Sequence, residues 1–125
     1  MNNSLQEYLN FANKLADAAG NTSMEYFRTS LSIDNKNDES PVTIADKNTE
    51  LKIRSMIEKE YPDHGILGEE FDSINSDAEF IWVIDPIDGT RSYIAGHKDF
   101  GNLISLTQNK KPIIGIINCP AHDER

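Results

Sequence analysis

The feature that most constrains the fold is an apolar run, Phe80-Ile81-Trp82-Val83-Ile84, that ends abruptly at Asp85-Pro86. An unbroken apolar run of this length is typical of a central strand that is buried on both faces. Pro86 has no N–H to donate to a neighbouring strand, so we expect the strand to end there and the chain to turn. The run therefore predicts that the carboxylate of Asp85 lies at the carboxyl end of a buried strand.

The hydrophobic pattern before this run predicts two helices. Ser4-Leu5-Gln6-Glu7 has the form of a capping box, so we expect the first helix to begin there. Its apolar positions recur at helical spacing: Leu5, Leu9, Ala12, Leu15, Ala16 and Ala19. A second helix is expected to open at Thr43-Ile44-Ala45-Asp46 and to end before Tyr61-Pro62-Asp63-His64-Gly65.

Most of the rest of the chain is predicted to form short strands. The predicted strands are Leu31 to Ile33, Ile66-Leu67, Gly101 to Thr107 and Ile113 to Cys119, and the loop Gln108 to Pro112 would join the last two as a hairpin. This order favours an α+β fold in one domain, residues 1–125, with helices packed on a mainly antiparallel sheet. Ile113 to Ile117 is apolar on both faces and would need cover on both.

Charge and cysteine content exclude several classes of protein. Acidic residues outnumber basic ones by 21 to 12, so the net charge of −9 disfavours binding to nucleic acid or to an anionic membrane. A small phosphorylated substrate remains compatible, provided that a metal reverses the sign of the potential at its site. The single cysteine, Cys119, allows no internal disulfide, and no apolar segment is long enough to span a membrane. We expect a soluble, cytoplasmic protein.

The segment Asp85-Pro86-Ile87-Asp88-Gly89-Thr90 carries the strongest chemical signal. Two carboxylates held within one turn repel each other unless a cation lies between them, and hard divalent cations prefer such oxygen ligands. Gly89 permits the tight turn, and Thr90 would begin a short helix that ends near Gly96. Amide groups at that helix start would suit a phosphate. Asp-Pro and Asp-Gly are also ordinary turn dipeptides, but the whole segment after a buried strand is far more specific.

Two further acidic segments could contribute to the same site. Gly68-Glu69-Glu70 follows a short apolar strand, and one of its carboxylates could complete a cation cluster, although a solvated acidic turn would look the same. Asp46 is predicted in the first turn of the second helix, where a favourable interaction with the helix dipole is a sufficient explanation for an acid.

Calcium and zinc sites fit the sequence poorly. The segment Asp34 to Ala45 has Lys36 at a ligand position and Ala45 in place of the closing acid of a calcium loop. The three histidines, His64, His97 and His122, lack the spacing of a zinc site and are expected on the surface or in loops.

Taken in order, Thr43-Ile44-Ala45-Asp46, Gly68-Glu69-Glu70 and Asp85 to Thr90 resemble the signature motifs of the inositol monophosphatase family, and the resemblance covers nearly the whole chain. It implies a magnesium-dependent phosphomonoesterase whose layered αβαβα sugar-phosphatase fold is represented here by its amino-terminal half. Family chains are considerably longer, and their second half supplies a further metal-binding aspartate and most substrate contacts. By the resemblance, this chain alone would bind metal poorly and would turn over slowly or not at all.

The resemblance also implies roles for individual residues. Glu69 and Asp85, with the carbonyl of Ile87, would bind a first Mg²⁺, and Asp85 and Asp88 would bind a second. Glu69 would thereby belong to the catalytic machinery.

The remaining roles concern water and phosphate. Asp46 and Thr90 would position and activate the attacking water, and the amides of Gly89 and Thr90 would hold the phosphate. Lys36 could approach the site from the polar loop.

The resemblance is strongest to the histidinol-phosphatase branch of the family, which acts in histidine biosynthesis. Three segments carry it: His64 to Phe71, Asp88 to Gly96 and Phe100 to Leu106. The expected substrate is histidinol phosphate, with inositol 1-phosphate as the alternative. A non-catalytic remnant that binds metal or a partner, and a plain structural α+β domain, are the competing hypotheses. A homodimer is possible, since the exposed apolar strand Ile113 to Ile117 would favour association.

Overall fold

The computed structural model describes residues 2–29 and 41–125, with the backbone alone for residues 2, 3 and 41–43. Its helices are α1 (Asn2–Tyr26), α2 (Pro41–Glu60), α3 (Thr90–Ala95) and a 3₁₀ helix (Pro120–His122). Its strands are β1 (Gly65–Leu67), β2 (Phe80–Asp88), β3 (Gly101–Gln108) and β4 (Lys111–Asn118). The strand predicted at Leu31 to Ile33, the polar loop and Lys36 lie outside the described residues.

The four strands form one sheet in the order β1-β2-β3-β4. β1 runs parallel to β2, whereas β2 pairs with β3 and β3 with β4 in the antiparallel sense. Asn109 and Lys110 form the tight β3–β4 turn, and both have positive φ, as a two-residue hairpin of this type requires. The predicted α+β class with a mainly antiparallel sheet is confirmed.

The prediction that β2 ends at Pro86 is wrong. Asp85 pairs with Leu103 and Asp88 with Gly101, so two residues of β2 lie opposite the single residue Asn102. This bulge removes Pro86 from the regular ladder, where its missing N–H would otherwise leave a carbonyl unpaired. The strand therefore continues to Asp88 and carries both aspartates of the turn.

Both long helices begin earlier than their sequence signals. α1 begins at Asn2, two residues before Ser4, and α2 begins at Pro41, a residue that fits the first helical position because its missing N–H has no partner there. Asp46 consequently lies beyond the first turn of α2. The helix dipole, which acts mainly on the terminal turn, no longer accounts for an acid at this position.

The main hydrophobic core lies between the sheet and the two long helices. Trp82, Ile84 and Leu106 of the sheet pack against Leu15 of α1 and Ile53 of α2. The N-terminal part of α1 differs from the expected pattern: Leu5 and Leu9 are exposed, and the aromatic residues Tyr8 and Phe11 face the core instead.

A second, smaller cluster lies beneath the β2–α3 turn. It contains Phe27, Ala45, Ile87, Tyr93 and Phe100. Tyr93 also donates a 2.8 Å hydrogen bond to the carbonyl of Ser23 in α1. The segment that carries Asp88 and Gly89 therefore rests on packed side chains from α2, from α3 and from the residue that follows α1.

His64 lies in the loop between α2 and β1, as expected, but it is half-buried rather than fully exposed. Its ring stacks on Tyr61 with a centroid separation of 4.5 Å, and the indole N–H of Trp82 donates to its Nδ1 at 3.1 Å. Burial is the main cause that lowers the pKa of His64. The neutral ring, which can accept this hydrogen bond, is the form that the fold favours.

One face of the sheet has no helix packed on it among the described residues. In β4, Ile116 faces the core and is 8% exposed, whereas Ile117 points the other way and is 64% exposed. A groove on this open face is lined mainly by apolar residues of the sheet, among them Leu67, Val83 and Ile117, and it reaches Glu69 and Asp85. Among the described residues, β4 is therefore covered on one face only, whereas its sequence predicts a need for cover on both.

Of the helices in the described ranges, none is both long and apolar enough to cross a bilayer.

Neighbouring isoleucines of β4 test this one-sided burial. Ile116→Ala should lower the free energy of unfolding by about 2–5 kcal/mol because it leaves a cavity in the core. Ile117→Ala, its matched control on the open face, should change it by less than about 0.5 kcal/mol. Urea unfolding of the two variants measures the difference, and similar losses in both would mean that the open face is covered in solution.

Candidate functional site

The parallel pairing of β1 and β2 brings two acidic residues to one edge of the sheet. Leu67 pairs with Val83, so the chain just beyond β1 places Glu69 level with Asp85, two residues further along each strand. The two carboxyl groups interact directly through a hydrogen bond. Asp88 follows at the end of β2, where it is exposed.

Asp85 is held in an unfavourable environment for a lone carboxylate. Burial raises its pKa to about 6, and the charges of Glu69 and Asp88 and the hydrogen bond with Glu69 act in the same direction. Its Oδ1 atom is buried and has no hydrogen-bond partner among the described residues. A buried oxygen without a partner costs free energy, so this atom is a candidate ligand for a cation.

Asp46 reaches the same edge from α2 and is 8% exposed. Its pKa is raised to about 7, first by burial and then by the charges of Glu70, Asp85 and Glu69, and a hydrogen bond from the backbone N–H of Ile87 opposes this rise. The structure thus brings together Asp46, Glu69 and Asp85. It also places the charge of Glu70 near Asp46, although the sequence analysis gave Glu70 no role of its own.

The predicted phosphate-binding residues lie at the start of α3. Gly89 has φ of 84° and occupies the cap position before Thr90, and a Cβ atom there would lie 2.8 Å from the carbonyl oxygen of Asp99. Only glycine fits this left-handed, crowded position without strain. The predicted end of the helix at Gly96, which has φ of 76°, is also found.

A buried amide network anchors the bulge of β2 to the rest of the fold. The side-chain amide of Asn102 donates to the carbonyl of Pro86 at 2.7 Å, and that of Asn118 donates to Asn102 Oδ1 at 3.0 Å and to the carbonyl of Ala16 at 3.1 Å. The backbone between Asp85 and Asp88 is therefore fixed to β4 and α1. Sequence reasoning missed this network, although two asparagines within otherwise apolar strands were a visible signal.

The donor set fits a hard divalent cation. Its members are carboxylates, they lie at one edge of the sheet, and one of their oxygens is buried without a partner. Within residues 2–29 and 41–125, no three acidic, histidine or cysteine side chains are already gathered around a single point.

Comparison with known proteins places this arrangement in a family. The sequence model of the inositol monophosphatase family matches residues 4–125. The chain belongs to the inositol monophosphatase family. The resemblance predicted from the three acidic motifs is therefore confirmed.

Family members with different names are about equally similar to the chain. It is 44% identical over 123 residues to the chloroplastic bifunctional phosphatase IMPL2 of Arabidopsis thaliana, covering 97% of this chain and 36% of the relative. It is 45% identical over 117 residues to a histidinol-phosphatase of Chlorobaculum parvum, covering 93% of this chain and 45% of the relative.

A solved inositol monophosphatase from Zymomonas mobilis superimposes with a TM-score of 0.83 at 45% identity, over 96% of this chain and 46% of that one. The chain thus spans less than half the length of these relatives. Its fold agrees with the amino-terminal half of the family fold.

The acidic cluster makes the metal-free stability depend on pH. The pKa of Asp46 is raised from 3.8 to about 7 in the folded state, so folding favours the protonated carboxyl group. The stability that depends on this proton is fully present below pH 3.8 and is lost as pH rises through 7. Asp46→Asn should therefore stabilise the chain at pH 7.5 by about 2–4 kcal/mol and have little effect at pH 4. Urea unfolding in the presence of a chelator at both pH values measures this.

Two features of the comparison isolate Asp46. The lowered pKa of His64 makes the free energy of unfolding rise with pH, which is the opposite trend. This trend is the same in the wild type and in Asp46→Asn, so it cancels in the difference between them. Asp77→Asn, at the opposite end of β2, makes the same change of charge and should not alter the pH dependence. An Asp46→Asn effect that is equal at both pH values would show that Asp46 is not an electrostatically strained group.

Proposed function

We propose that this chain is the metal-binding half of a magnesium-dependent phosphomonoesterase whose substrate is histidinol phosphate. One observation carries the proposal: Asp46, Glu69 and Asp85 converge at one edge of the sheet, and the pKa values of two of them are raised to about 7 and about 6. Groups with perturbed pKa values concentrate at functional sites because such sites gather like charges out of water. Membership of a phosphatase family supports the same assignment.

The residues that would hold the metal follow from this arrangement. Glu69 and Asp85, with the carbonyl of Ile87, would bind one Mg²⁺, and Asp85 and Asp88 would bind a second. Bound magnesium supplies an activated nucleophile at neutral pH and charge stabilisation for the leaving oxygen. The unpartnered Oδ1 of Asp85 gains ligation in this assignment, which offsets the cost of its burial.

Asp46 and Thr90 would position the attacking water. Asp46 is fixed by the hydrogen bond from the N–H of Ile87, and Thr90 is the first residue of α3. A carboxylate with a pKa near neutrality is suited to accept a proton from that water. The amides of Gly89 and Thr90 would hold the phosphate, since N–H groups at a helix start are free to donate to an anion.

The substrate assignment rests on similarity and has a named alternative. The Chlorobaculum parvum relative is named for histidinol phosphate, whereas the Zymomonas mobilis structure, at the same 45% identity, is named for inositol monophosphate. We therefore keep inositol 1-phosphate as the second candidate substrate. The segments that resemble the histidinol-phosphatase branch favour histidinol phosphate.

The single cysteine favours a reducing compartment, and we propose that the protein acts in the cytoplasm.

A non-catalytic, metal-binding remnant is the alternative from another class. The chain spans 45% of the histidinol-phosphatase relative, and the groove beside Asp85 is open on the side of Val83 and Ile117. We expect the 125-residue chain alone to be inactive, or nearly so, because the other half of the family fold would supply the remaining contacts. The open face could also pair two copies of the chain as a homodimer.

Phosphate release tests the proposed function directly. Histidinol phosphate and inositol 1-phosphate are compared with and without Mg²⁺, using the 125-residue chain and the longer product of the reading frame where one exists. We expect magnesium-dependent release by the longer product, faster with histidinol phosphate. Asp85→Asn should lower the rate roughly 100-fold or more, because it removes a charge shared by both proposed ions.

Asp77→Asn is the matched control, since it removes an equal charge before β2, and it should keep the wild-type rate. Folded protein that releases phosphate from neither ester would reject the phosphatase assignment for these substrates. Release at full rate by the 125-residue chain would reject the expectation that it needs a second half.

A further inference from the structure

A buried glutamate that belongs to none of the predicted motifs holds the loop that carries Glu69. Glu50 lies on α2, one helical turn after Asp46, and its side chain is fully buried at 0% exposure. Glutamate is rarely buried in this way unless its charge is fully satisfied by partners. Its partners therefore indicate what it does.

The carboxylate of Glu50 accepts hydrogen bonds from three consecutive backbone amides. Its Oε1 accepts from the N–H of Glu69 at 2.9 Å and of Glu70 at 3.0 Å, and its Oε2 accepts from the N–H of Phe71 at 3.2 Å. Successive amides that converge on one anion form a cradle, and here the anion is a side chain of the protein itself. The backbone after Gly68 is thereby fixed to α2.

Arg54 completes this anchor. Its Nε donates to Glu50 Oε2 at 2.8 Å, and its guanidinium also donates to the carbonyl of Phe71 at 3.0 Å. The positive charge offsets the cost of burying the carboxylate, and the second hydrogen bond closes the loop at its far end.

The loop is shaped to receive this carboxylate. A Cβ atom at Gly68 would collide with the carboxylate of Glu50, so the absence of a side chain at Gly68 is what allows the approach. The contact therefore depends on two residues: Gly68 in the loop leaves the space, and the buried Glu50 of α2 fills it with its carboxylate.

We propose that Glu50 is a positioning residue for the metal site, which it serves by holding the backbone of Glu69 so that the Glu69 carboxyl group faces Asp85. This inference rests on the proposed function, since it assumes that Glu69 is a metal ligand. Glu50 itself touches neither substrate nor metal in this assignment. One helix, α2, then fixes both Asp46 and the Glu69 loop, and it opposes the repulsion that would drive them apart.

Glu50→Gln is the sharpest test because it keeps the size and shape of the side chain and changes only its charge and its hydrogen-bonding character. Each carboxylate oxygen faces two N–H donors, so whichever position the amide NH₂ takes, it meets donors and cannot accept. Glu58→Gln, an exposed position on the same helix, is the control with an equal change of charge.

Two measurements on the 125-residue chain separate a positioning role from a merely structural one. NMR titration with Mg²⁺ alone, followed at the amides of Glu69 and Asp88, gives the metal affinity without any need for turnover. Hydrogen exchange of the Glu69, Glu70 and Phe71 amides reports the anchor. The amide of Ile66, which donates to the carbonyl of Ile74 at 2.9 Å, is the internal reference.

We expect Glu50→Gln to lower Mg²⁺ affinity by about 10–100-fold and to speed exchange at the three amides at least about tenfold. Glu58→Gln and the Ile66 reference should remain at wild-type values. Gly68→Ala, which leaves Glu50 in place but obstructs its approach, should reproduce the loss of affinity.

The outcomes that contradict the inference differ from those that contradict the function. Faster exchange with unchanged Mg²⁺ affinity would make Glu50 a structural residue only, and loss of fold in both Glu50→Gln and Gly68→Ala would also reject the positioning role. Absence of any Mg²⁺ response in the wild-type chain would instead overturn the proposed metal site, and the role of Glu50 with it.

Discussion

The mutual repulsion of carboxyl groups at one sheet edge is the constraint on which the rest of this structure depends. Asp46, Glu69 and Asp85 come from a helix, a loop and a strand, and their like charges oppose their approach. The raised pKa values of Asp46 and Asp85 express that conflict, because each group takes up a proton more readily than it would in water. The fold must therefore supply the free energy that holds them in place.

That free energy comes from buried polar anchors on either side of the cluster. Glu50 binds the backbone of the Glu69 loop through three amides, and Asn102 binds the carbonyl of Pro86 inside the bulge. Both anchors fix backbone rather than carboxyl groups, so the acids themselves stay available to a ligand. Hydrogen bonds of this kind are strong where water is excluded, and they define one geometry in a way that apolar packing alone does not.

The sequence predicted the elements and the acidic motifs well but not what connects them. The apolar run before Asp85 identified β2, and the glycines around Thr90 identified α3, because local rules govern such features. The continuation of β2 through Pro86 was missed, since a bulge depends on the partner strand and not on the strand itself. Glu50 and Asn102 were missed for a related reason: a polar residue in an amphipathic pattern looks solvated until the tertiary structure buries it. The family resemblance singled out acids that the fold brings to one edge of the sheet, whereas the residues that hold them could be found only from contacts.

The groove on the open face of the sheet gives the acidic edge its asymmetry. Asp85 and Glu69 lie where the apolar groove lined by Leu67, Val83 and Ile117 meets the end of the strands, so one side of the cluster is packed and the other is open. The packed side provides the rigidity described above, because α1 and α2 cover it. None of the described residues covers the open side, whereas α2 and the Glu69 loop occupy the opposite side. The packed face of the four-stranded sheet thus holds the acidic residues in place, and the other face leaves them accessible among the described residues.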